Sequence, residues 1–271
     1  MNETTLKAAA ITVLLLPCWS WAAPSTTDDR IAVSADGSTL TGTNGGAGGS
    51  ITWLHNFDTD TLAAVAVEHQ KLATAQWTFG SLTGSLTRGT ADQRYSFYGE
   101  VHEGSGTDTP GSFHYGNVAA GVIGTYFHQL SVQIEDRQFD ILTSHGNLPK
   151  VQVSYLWTPH LQTAVSFANS VSGNLGTHLF AARLDRYGRR INLLAGLSYG
   201  RTTPAVLNSA GIPIVPGATL REGYVGLTGL FPDQRSELSA IADYQDLSGS
   251  SKRAIFTLNY IVHVGGSRSR R

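Results

Sequence analysis

The sequence predicts an all-β protein, a transmembrane, antiparallel, up-and-down β-barrel of about 14 strands, with about 12 as the alternative count. Three observations lead to this prediction. The chain begins with an export signal, and alternating apolar and polar segments of about ten residues follow it. Only 14% of the residues are charged, against about 25% in an ordinary soluble domain. A β-barrel in the outer membrane of a bacterium explains all three.

Residues 1–22 form the predicted signal peptide. An apolar run from Ala8 to Leu16 is followed by Ser20-Trp21-Ala22, a small-x-small cleavage site that places the cut after Ala22. The run is too short to span a bilayer. The remaining chain has no apolar run near 18 residues, so no membrane-spanning helix is expected.

A lipoprotein signal is the alternative for the same segment, because Leu15-Leu16-Pro17-Cys18 places a cysteine after apolar residues. Pro17 argues against it, since a small residue is expected just before a lipid-modified cysteine. A cut after Ala22 removes Cys18, the only cysteine of the chain. A mature chain without a thiol suits an oxidising periplasm.

Residues 23–264 form the predicted barrel. Its last segment places Phe256, Leu258, Tyr260, Val262 and Val264 on one face, and Thr257, Asn259 and His263 on the other. Tyr126–Phe139, Val151–Trp157 and Ser236–Asp246 alternate in the same way, whereas Trp77–Thr87 is rich in Gly, Ser and Thr on both faces. This period of two is typical of barrel strands. A soluble β-sandwich or propeller is the alternative, but its apolar face would be richer in large aliphatic residues.

The connections between the segments are predicted to alternate in length. The short ones are 58–61, 89–92, 158–160, 187–190 and 231–234, and the long ones are 42–49, 104–111, 140–149, 171–176, 201–217 and 247–252. Bacterial barrels have short periplasmic turns, long external loops and periplasmic termini. Two connections depart from this pattern, a short external link at 72–75 and a periplasmic turn at 124–125.

Aromatic residues mark the periplasmic side of the predicted barrel. Phe57, Trp157, Tyr187 and Phe231 each lie beside a connection assigned to that side. Aromatic girdles occur where a barrel crosses the membrane interface. The longest connection, Arg201–Gly217, is predicted to lie outside, where it either folds inward as a constriction or projects outward as a surface loop.

The alternation also assigns charged side chains to the interior. The predicted lumen-lining residues are Glu68, Glu100, His102, Glu135, Arg137, Arg183, Asp185, Glu237 and Asp243. Both signs occur, so a polar lumen without strong ion selectivity is expected. The alternative is that these charges form ion-pair networks that brace the wall, and both roles are compatible.

The sequence gives little support to catalysis or cofactor binding. No phosphate loop, Cys–His cluster or cofactor motif is present, so no cofactor and no metal are expected. His102 and His114 flank the 104–111 connection and could approach each other, but two histidines are a weak metal signal. A net charge of −1 suggests no nucleic-acid partner. Residues 265–271 are predicted to be a solvated basic tail.

Three phrases carry a family resemblance: Glu135–Asp140, Val151–Tyr155 and Gly196–Gly200. Over its mature length the chain resembles bacterial outer-membrane β-barrels. Within that group it is similar to YaiO-type barrels and to the barrel domains of cellulose and poly-N-acetylglucosamine exporters. Such exporters usually carry a periplasmic helical-repeat region, which is not found in this sequence and whose absence argues against active export by this chain alone.

We therefore expect an outer-membrane channel, porin-like and not an enzyme, for hydrophilic solutes or a secreted exopolysaccharide. The alternative is a plugged structural or adhesive surface barrel that binds partners through its external loops. A lipid-modifying barrel enzyme is the least favoured hypothesis. The expected partners are outer-membrane lipid, lipopolysaccharide, and the barrel-assembly machinery through the C-terminal strand.

Overall fold

The computed structural model describes residues 29–41, 43–58, 60–72, 75–90, 92–108, 111–141, 144–202, 218–231, 235–248 and 251–264. The predicted signal peptide, the tail at 265–271 and residues 203–217 of the longest connection lie outside these ranges. No helix in the described ranges could span a membrane.

The described residues form strands joined by turns and connections. The strands are β1 (Asp29–Leu40), β2 (Thr43–Asn56), β3 (Thr61–Leu72), β4 (Ala75–Gly89), β5 (Gln93–Asp108), β6 (Gly111–Tyr126), β7 (Leu130–Ile141), β8 (Ser144–Asn147), β9 (Lys150–Thr158), β10 (Leu161–Asn169), β11 (His178–Arg186), β12 (Ile191–Thr202), β13 (Ala218–Leu230), β14 (Ser236–Leu247) and β15 (Ser251–Val264).

The sheet closes on itself. Apart from β8 and β9, strands that are consecutive in the chain are paired antiparallel around the wall, and β1 also pairs with β15 from Asp29↔Val264 to Leu40↔Arg253. Closure leaves this sheet with no edge strand, so the backbone groups along β1 and β15 are hydrogen-bonded to each other.

Strands β8 and β9 occupy a single position in the wall. One half of β7 pairs with β8, starting at Gln138↔Asn147, and the other half pairs with β9, ending at Glu135↔Lys150. Pro149 lies between the two segments and has no N–H for the ladder. The wall therefore has fourteen strands, which confirms the predicted number. The alternative count of twelve is wrong, because β3 and β4 are separate, paired strands.

The two faces of the wall differ as the alternation predicts. On β14, Glu237 and Asp243 are buried while Leu238 and Tyr244 are exposed, and on β15 Thr257 is buried while Phe256 and Leu258 are exposed. In a closed sheet the buried face is the inside. Apolar side chains are exposed on nearly every strand of the outer face, and an apolar surface of this extent fits contact with lipid. A two-sheet sandwich is ruled out because the strands form one closed sheet.

Several predicted loops are part of the wall instead. The Gly-rich segment 42–49 is mostly β2, the segment 104–111 is mostly the ends of β5 and β6, and 140–149 contains β8. The turn between β6 and β7 lies at 127–129 and not at 124–125, and it holds Phe127 and His128 at φ 51° and 59°. Glycine weakens an isolated strand, but here both neighbouring strands satisfy the backbone, so Gly-rich segments remain paired.

Both termini of the described barrel lie at the same end as the connections near residues 57–60, 90–92, 127–129, 159–160, 187–190 and 231–235. Phe57, Trp157 and Phe231 are exposed at this end, as expected for an interfacial girdle. Tyr187 differs from them, because its hydroxyl donates a hydrogen bond to Oε1 of the buried Gln162 at 2.7 Å. By analogy with bacterial barrels, this is the periplasmic end, and the opposite end is called the outer end.

Candidate solute pathway in the barrel interior

All nine side chains that the sequence assigned to the interior lie on the inner face. Glu68, His102, Glu135, Arg137, Asp185, Glu237 and Asp243 are buried, and the side chains of Glu100 and Arg183 are 12% and 15% exposed. Four of the nine meet in one cluster on β5 and β7, and Arg183 pairs with Asp185 at 2.8 Å on β11. That these residues line a solute pathway stays a prediction.

The cluster on β5–β7 is organised around Arg137. Its Nη2 donates to Oε2 of Glu100 at 2.8 Å, its Nη1 to Oδ1 of Asn117 at 2.9 Å, and its Nε to Oε1 of Glu135 at 3.4 Å. His102 is hydrogen-bonded to the other oxygen of Glu100. One guanidinium thus holds two carboxylates, and its rigid fork of N–H groups suits this arrangement better than an ammonium would. We call these five residues, with Tyr98 and Gln133, the Arg137 network.

Tyr98 and Gln133 complete the Arg137 network toward the periplasmic end. The hydroxyl of Tyr98 donates to Oε2 of Glu135 at 2.5 Å, and Nε2 of Gln133 donates to the Tyr98 hydroxyl at 2.6 Å. Each carboxylate therefore has several donors. A buried charge is tolerated when its hydrogen-bonding capacity is satisfied in this way.

Small residues on β6 allow side chains of β5 and β7 to meet. Tyr98 and Glu135 lie in one row with Gly121 between them, and Glu100 and Arg137 lie in the next row with Ala119 between them. A Cβ atom at Gly121 would be 2.5 Å from the Tyr98 ring. The bonds that cross β6 therefore depend on the absence of a larger side chain on the strand between.

The same arrangement recurs around the wall. Gln70 passes over Gly48 and donates to Oδ1 of Asp36 at 2.8 Å, across β2. The rings of Phe79 and Tyr115 stack at a centroid distance of 5.0 Å on either side of Gly104. Tyr224 lies over Gly196 on β12. Inner glycines thus provide sites over which large side chains of neighbouring strands connect.

The part of the wall from β13 through β15 and β1 to β3 carries an excess of acidic groups. Gln245 donates to Glu222 at 3.0 Å and to Asp243 at 3.4 Å, and Gln70 donates to Asp36 and to Glu68. The single guanidinium among them, Arg253, is buried and interacts electrostatically with Asp36 and Asp243. Four carboxylates and one arginine make up this acidic sector, which consists of Asp36, Glu68, Glu222, Asp243 and Arg253.

Asp36, Glu222 and Arg253 were missed in the sequence. The alternation is sufficient to identify Arg253 as an inner residue. It is separated by an even number of positions from Thr257, Asn259 and His263 on the final strand, so it faces the same side as they do. The predicted 247–252 connection ends one residue before Arg253 and the predicted final strand begins one residue after it, so no face is assigned to Arg253. The structure begins β15 at Ser251.

An apolar ring occupies the outer end of the interior. Its members are Leu40, Ala75, Trp77, Phe79, Tyr115, Phe139, Leu148, Ala168, Leu175, Leu179, Ala218, Leu220 and Leu247. They come from β1, β4, β6, β7, β10, β11, β13 and β14 and from two connections, so they are distributed around the whole wall. A smaller apolar cluster of Leu54, Leu62 and Ala64 lies toward the periplasmic end.

The histidines do not form a metal site within the described ranges. His102 faces inward, whereas His114 faces outward and pairs with Glu103 at 3.2 Å. The hypothesis that these two histidines approach each other is therefore wrong, because they lie on opposite faces of the wall. No group of three or more potential metal ligands occurs in the part of the chain that the structure describes. His263 pairs with Glu237 at 3.0 Å near the periplasmic end.

We expect Gly121→Ala to destabilise the barrel by about 1–3 kcal/mol, because the new methyl group overlaps the Tyr98 ring and the backbone oxygen of Ile134. Urea unfolding of the protein in lipid vesicles measures this change. Gly84→Ala is the matched control, since its Cβ would meet open space on β4. In a Tyr98→Ala background the part of the cost that comes from the Tyr98 ring should disappear, and the part that comes from the Ile134 backbone should remain. An unchanged cost there would show that the Tyr98 ring is not its cause.

A closed wall of fourteen antiparallel strands, with a buried polar inner face and an apolar outer face, defines a bacterial outer-membrane β-barrel. The structure is similar to the CymD monoaromatic hydrocarbon channel, with a TM-score of 0.62, 9% identity and coverage of 93% of this chain and 92% of that one. It is also similar to a FadL homologue of Pseudomonas aeruginosa, with a TM-score of 0.55, 9% identity and coverage of 88% and 90%.

A third similar structure is the outer membrane protein Omp33 of Acinetobacter baumannii, with a TM-score of 0.52, 9% identity and coverage of 88% and 99%. No protein-family model matches the sequence, and no curated protein matches it. At these identities the likeness concerns the fold alone. The shared fold is that of outer-membrane β-barrels, and it confirms the predicted outer-membrane location.

Proposed function

We propose that the protein is an outer-membrane channel for small hydrophilic solutes. The observation that carries this proposal is the inner face, where charged and amide side chains from β1, β3, β5, β7, β11 and β13–β15 occupy the middle of the barrel. Barrels of about 8 strands fill their own interior, and those of about 16–18 leave an aqueous channel. A fourteen-stranded wall lies between these two cases, and conduction requires a polar passage beside these side chains.

The charges of the inner face favour passage of cations. The Arg137 network approaches neutrality, since its arginine faces Glu100 and Glu135 with Lys150 nearby. The acidic sector instead holds four carboxylates around one arginine. Rings of carboxylates attract cations in channels. The sequence predicts weak selectivity because both signs occur among the assigned inner charges; Asp36, Glu222 and Arg253 add two carboxylates and one guanidinium to that set.

The test is the single-channel conductance of the refolded protein in a planar bilayer with a salt gradient. We expect discrete conductance steps and a reversal potential that indicates cation preference. Glu222→Gln should reduce this preference, because it removes one inner charge and keeps the side-chain volume. Glu103→Gln is the control, since Glu103 lies exposed on the outer face.

Silence from a correctly folded and inserted barrel would contradict the channel proposal and would favour the plugged, adhesive alternative. Steps that show anion preference would instead contradict the role assigned to the acidic sector. Fold and insertion are checked independently by the migration of unheated and heated samples in gel electrophoresis.

A small apolar compound is the second candidate substrate. The observation that favours it is the apolar ring, which presents leucine and aromatic side chains at the outer end of the interior. The similar structure of CymD is described as a monoaromatic hydrocarbon channel. Uptake of toluene into vesicles that contain the protein, compared with uptake of a hydrophilic sugar, distinguishes the two candidates.

A secreted polysaccharide as cargo rests on the sequence resemblance to exopolysaccharide exporters alone. Recognition of the C-terminal strand by the assembly machinery rests on the alternation of Phe256 to Val264. We retain both as part of the proposal. We also propose that the protein is not an enzyme, and the support for this is that the similar structures include channels.

A further inference from the structure

A row of basic residues crosses the outer face near the outer end of the barrel. On neighbouring strands, Arg221 of β13 is opposite Asp246 of β14, which is opposite Lys252 of β15. Arg201 of β12 lies one step closer to the outer end. All three cations are exposed, and none forms an ion pair with another described residue. Three cations and one carboxylate give this basic row a positive net charge.

An apolar groove lies directly below the basic row. Its volume is about 930 Å³, and it runs over the strands from β12 to β2. The next row of outward residues is Gly223, Tyr244, Ala254 and Thr39, and the one below it is Val225, Ala242, Phe256 and Gly37. Glycine and alanine form the floor of the groove, and Tyr244 and Phe256 rise beside it.

The residues that line the groove indicate that it lies on the outer, lipid-facing side of the wall. Nine of its fifteen lining residues face outward, and Val225, Tyr244 and Phe256 among these are exposed. The other six face inward, and they include the buried Tyr224, Asp243 and Ile255. The Cβ positions of Gly37 and Gly223 face open space. A volume of this size lies within the range of about 300–1,000 Å³ that is typical of small-molecule sites.

We propose that the basic row and the apolar groove together bind one molecule of lipopolysaccharide through its lipid A. The phosphates would contact Arg201, Arg221 and Lys252, and acyl chains would lie in the groove below. Arginine and lysine at the edge of an apolar belt place their charges at the headgroup level and bind phosphate oxygens. The groove provides space for chains at the depth where the lipid belt begins.

Two features favour this lipid over a glycerophospholipid. The site lies at the outer end of the barrel, away from the termini, and thus in the leaflet that faces outward. It also spans six strands, with cations on β12, β13 and β15, which suits a headgroup with two separate phosphates better than a single phosphodiester.

The experiment measures binding of purified hexa-acylated, bisphosphorylated lipid A to the detergent-solubilised protein by native mass spectrometry. We expect one bound lipid A and at least tenfold weaker binding in the Arg221→Ala/Lys252→Ala variant. Lys71→Ala/Arg186→Ala is the matched control, because both residues are exposed cations elsewhere on the outer face. It should bind as the wild type does.

The groove is tested separately with Gly223→Leu, which fills it from a position with open space around its Cβ. It should weaken binding, while Gly84→Leu, at an equally open outward glycine outside the groove, should not. Inorganic phosphate should not compete, and phosphatidylglycerol or dephosphorylated lipid A should bind less tightly. Equal binding by wild type and both site variants, or competition by phosphate alone, would overturn the proposal. None of these readouts depends on channel conductance.

Discussion

Arg137→Met is expected to lower the free energy of unfolding by about 3–5 kcal/mol, because it leaves Glu100 and Glu135 buried without their cation. Methionine keeps much of the side-chain volume, so the loss of stability reflects the removed charge more than a change in packing. The measurement is urea unfolding in lipid vesicles, followed by tryptophan fluorescence.

Two further variants separate the causes. Adding Glu100→Gln and Glu135→Gln to Arg137→Met should restore a large part of the stability, since neither carboxylate of the Arg137 network then remains charged without its cation. Arg186→Met is the control, because this arginine is exposed on the outer face, and it should change stability by no more than about 0.5 kcal/mol. A loss below about 1 kcal/mol for Arg137→Met would contradict a tightly held network and would indicate that water screens these charges.

The largest expected change in conductance is an increase in the double variant Leu220→Ser/Leu247→Ser. Both side chains are almost completely buried in the apolar ring. Apolar constrictions exclude water and ions by dewetting, so hydroxyl groups at two positions should wet the outer end and raise the unit conductance severalfold. The measurement is single-channel recording in the same salt as for the wild type.

Stability must be followed in the same samples, because truncating a buried leucine costs about 2–5 kcal/mol. Leu54→Ser/Leu62→Ser is the matched control, since these leucines are also inward and buried but belong to the cluster near the periplasmic end. It should lose stability without gaining conductance. Equal conductance in the wild type and the Leu220→Ser/Leu247→Ser variant would show that the apolar ring does not limit passage.

The sequence predicted the architecture well because its signal is local. On the final strand, the alternation of Phe256, Leu258 and Tyr260 with Thr257 and Asn259 is sufficient to give the strand and its two faces. The same reasoning placed Glu135 and Arg137 inside and Ile134 outside, as the structure has them. Strand ends were predicted less well. The Gly-rich segment 42–49, for example, is predicted to be a loop, whereas β2 begins at Thr43 in the structure.

Which inner residues meet could not be predicted in this way. Glu100 and Arg137 are 37 residues apart in the chain, and they meet because the register places both in one row with Ala119 between them. A shift of register by one residue would turn every side chain of a strand to the other face. Alternation alone fixes the face of each residue but not its partner on the next strand.

The sequence by itself therefore determined that this protein is a β-barrel of about fourteen strands with polar groups inside, because a period of two is a property of each strand. The tertiary structure decided the Arg137 network, the acidic sector, the apolar ring, and the groove below the basic row. Each of these features joins residues of several strands, and only the cross-strand register and the closure between β1 and β15 bring them together.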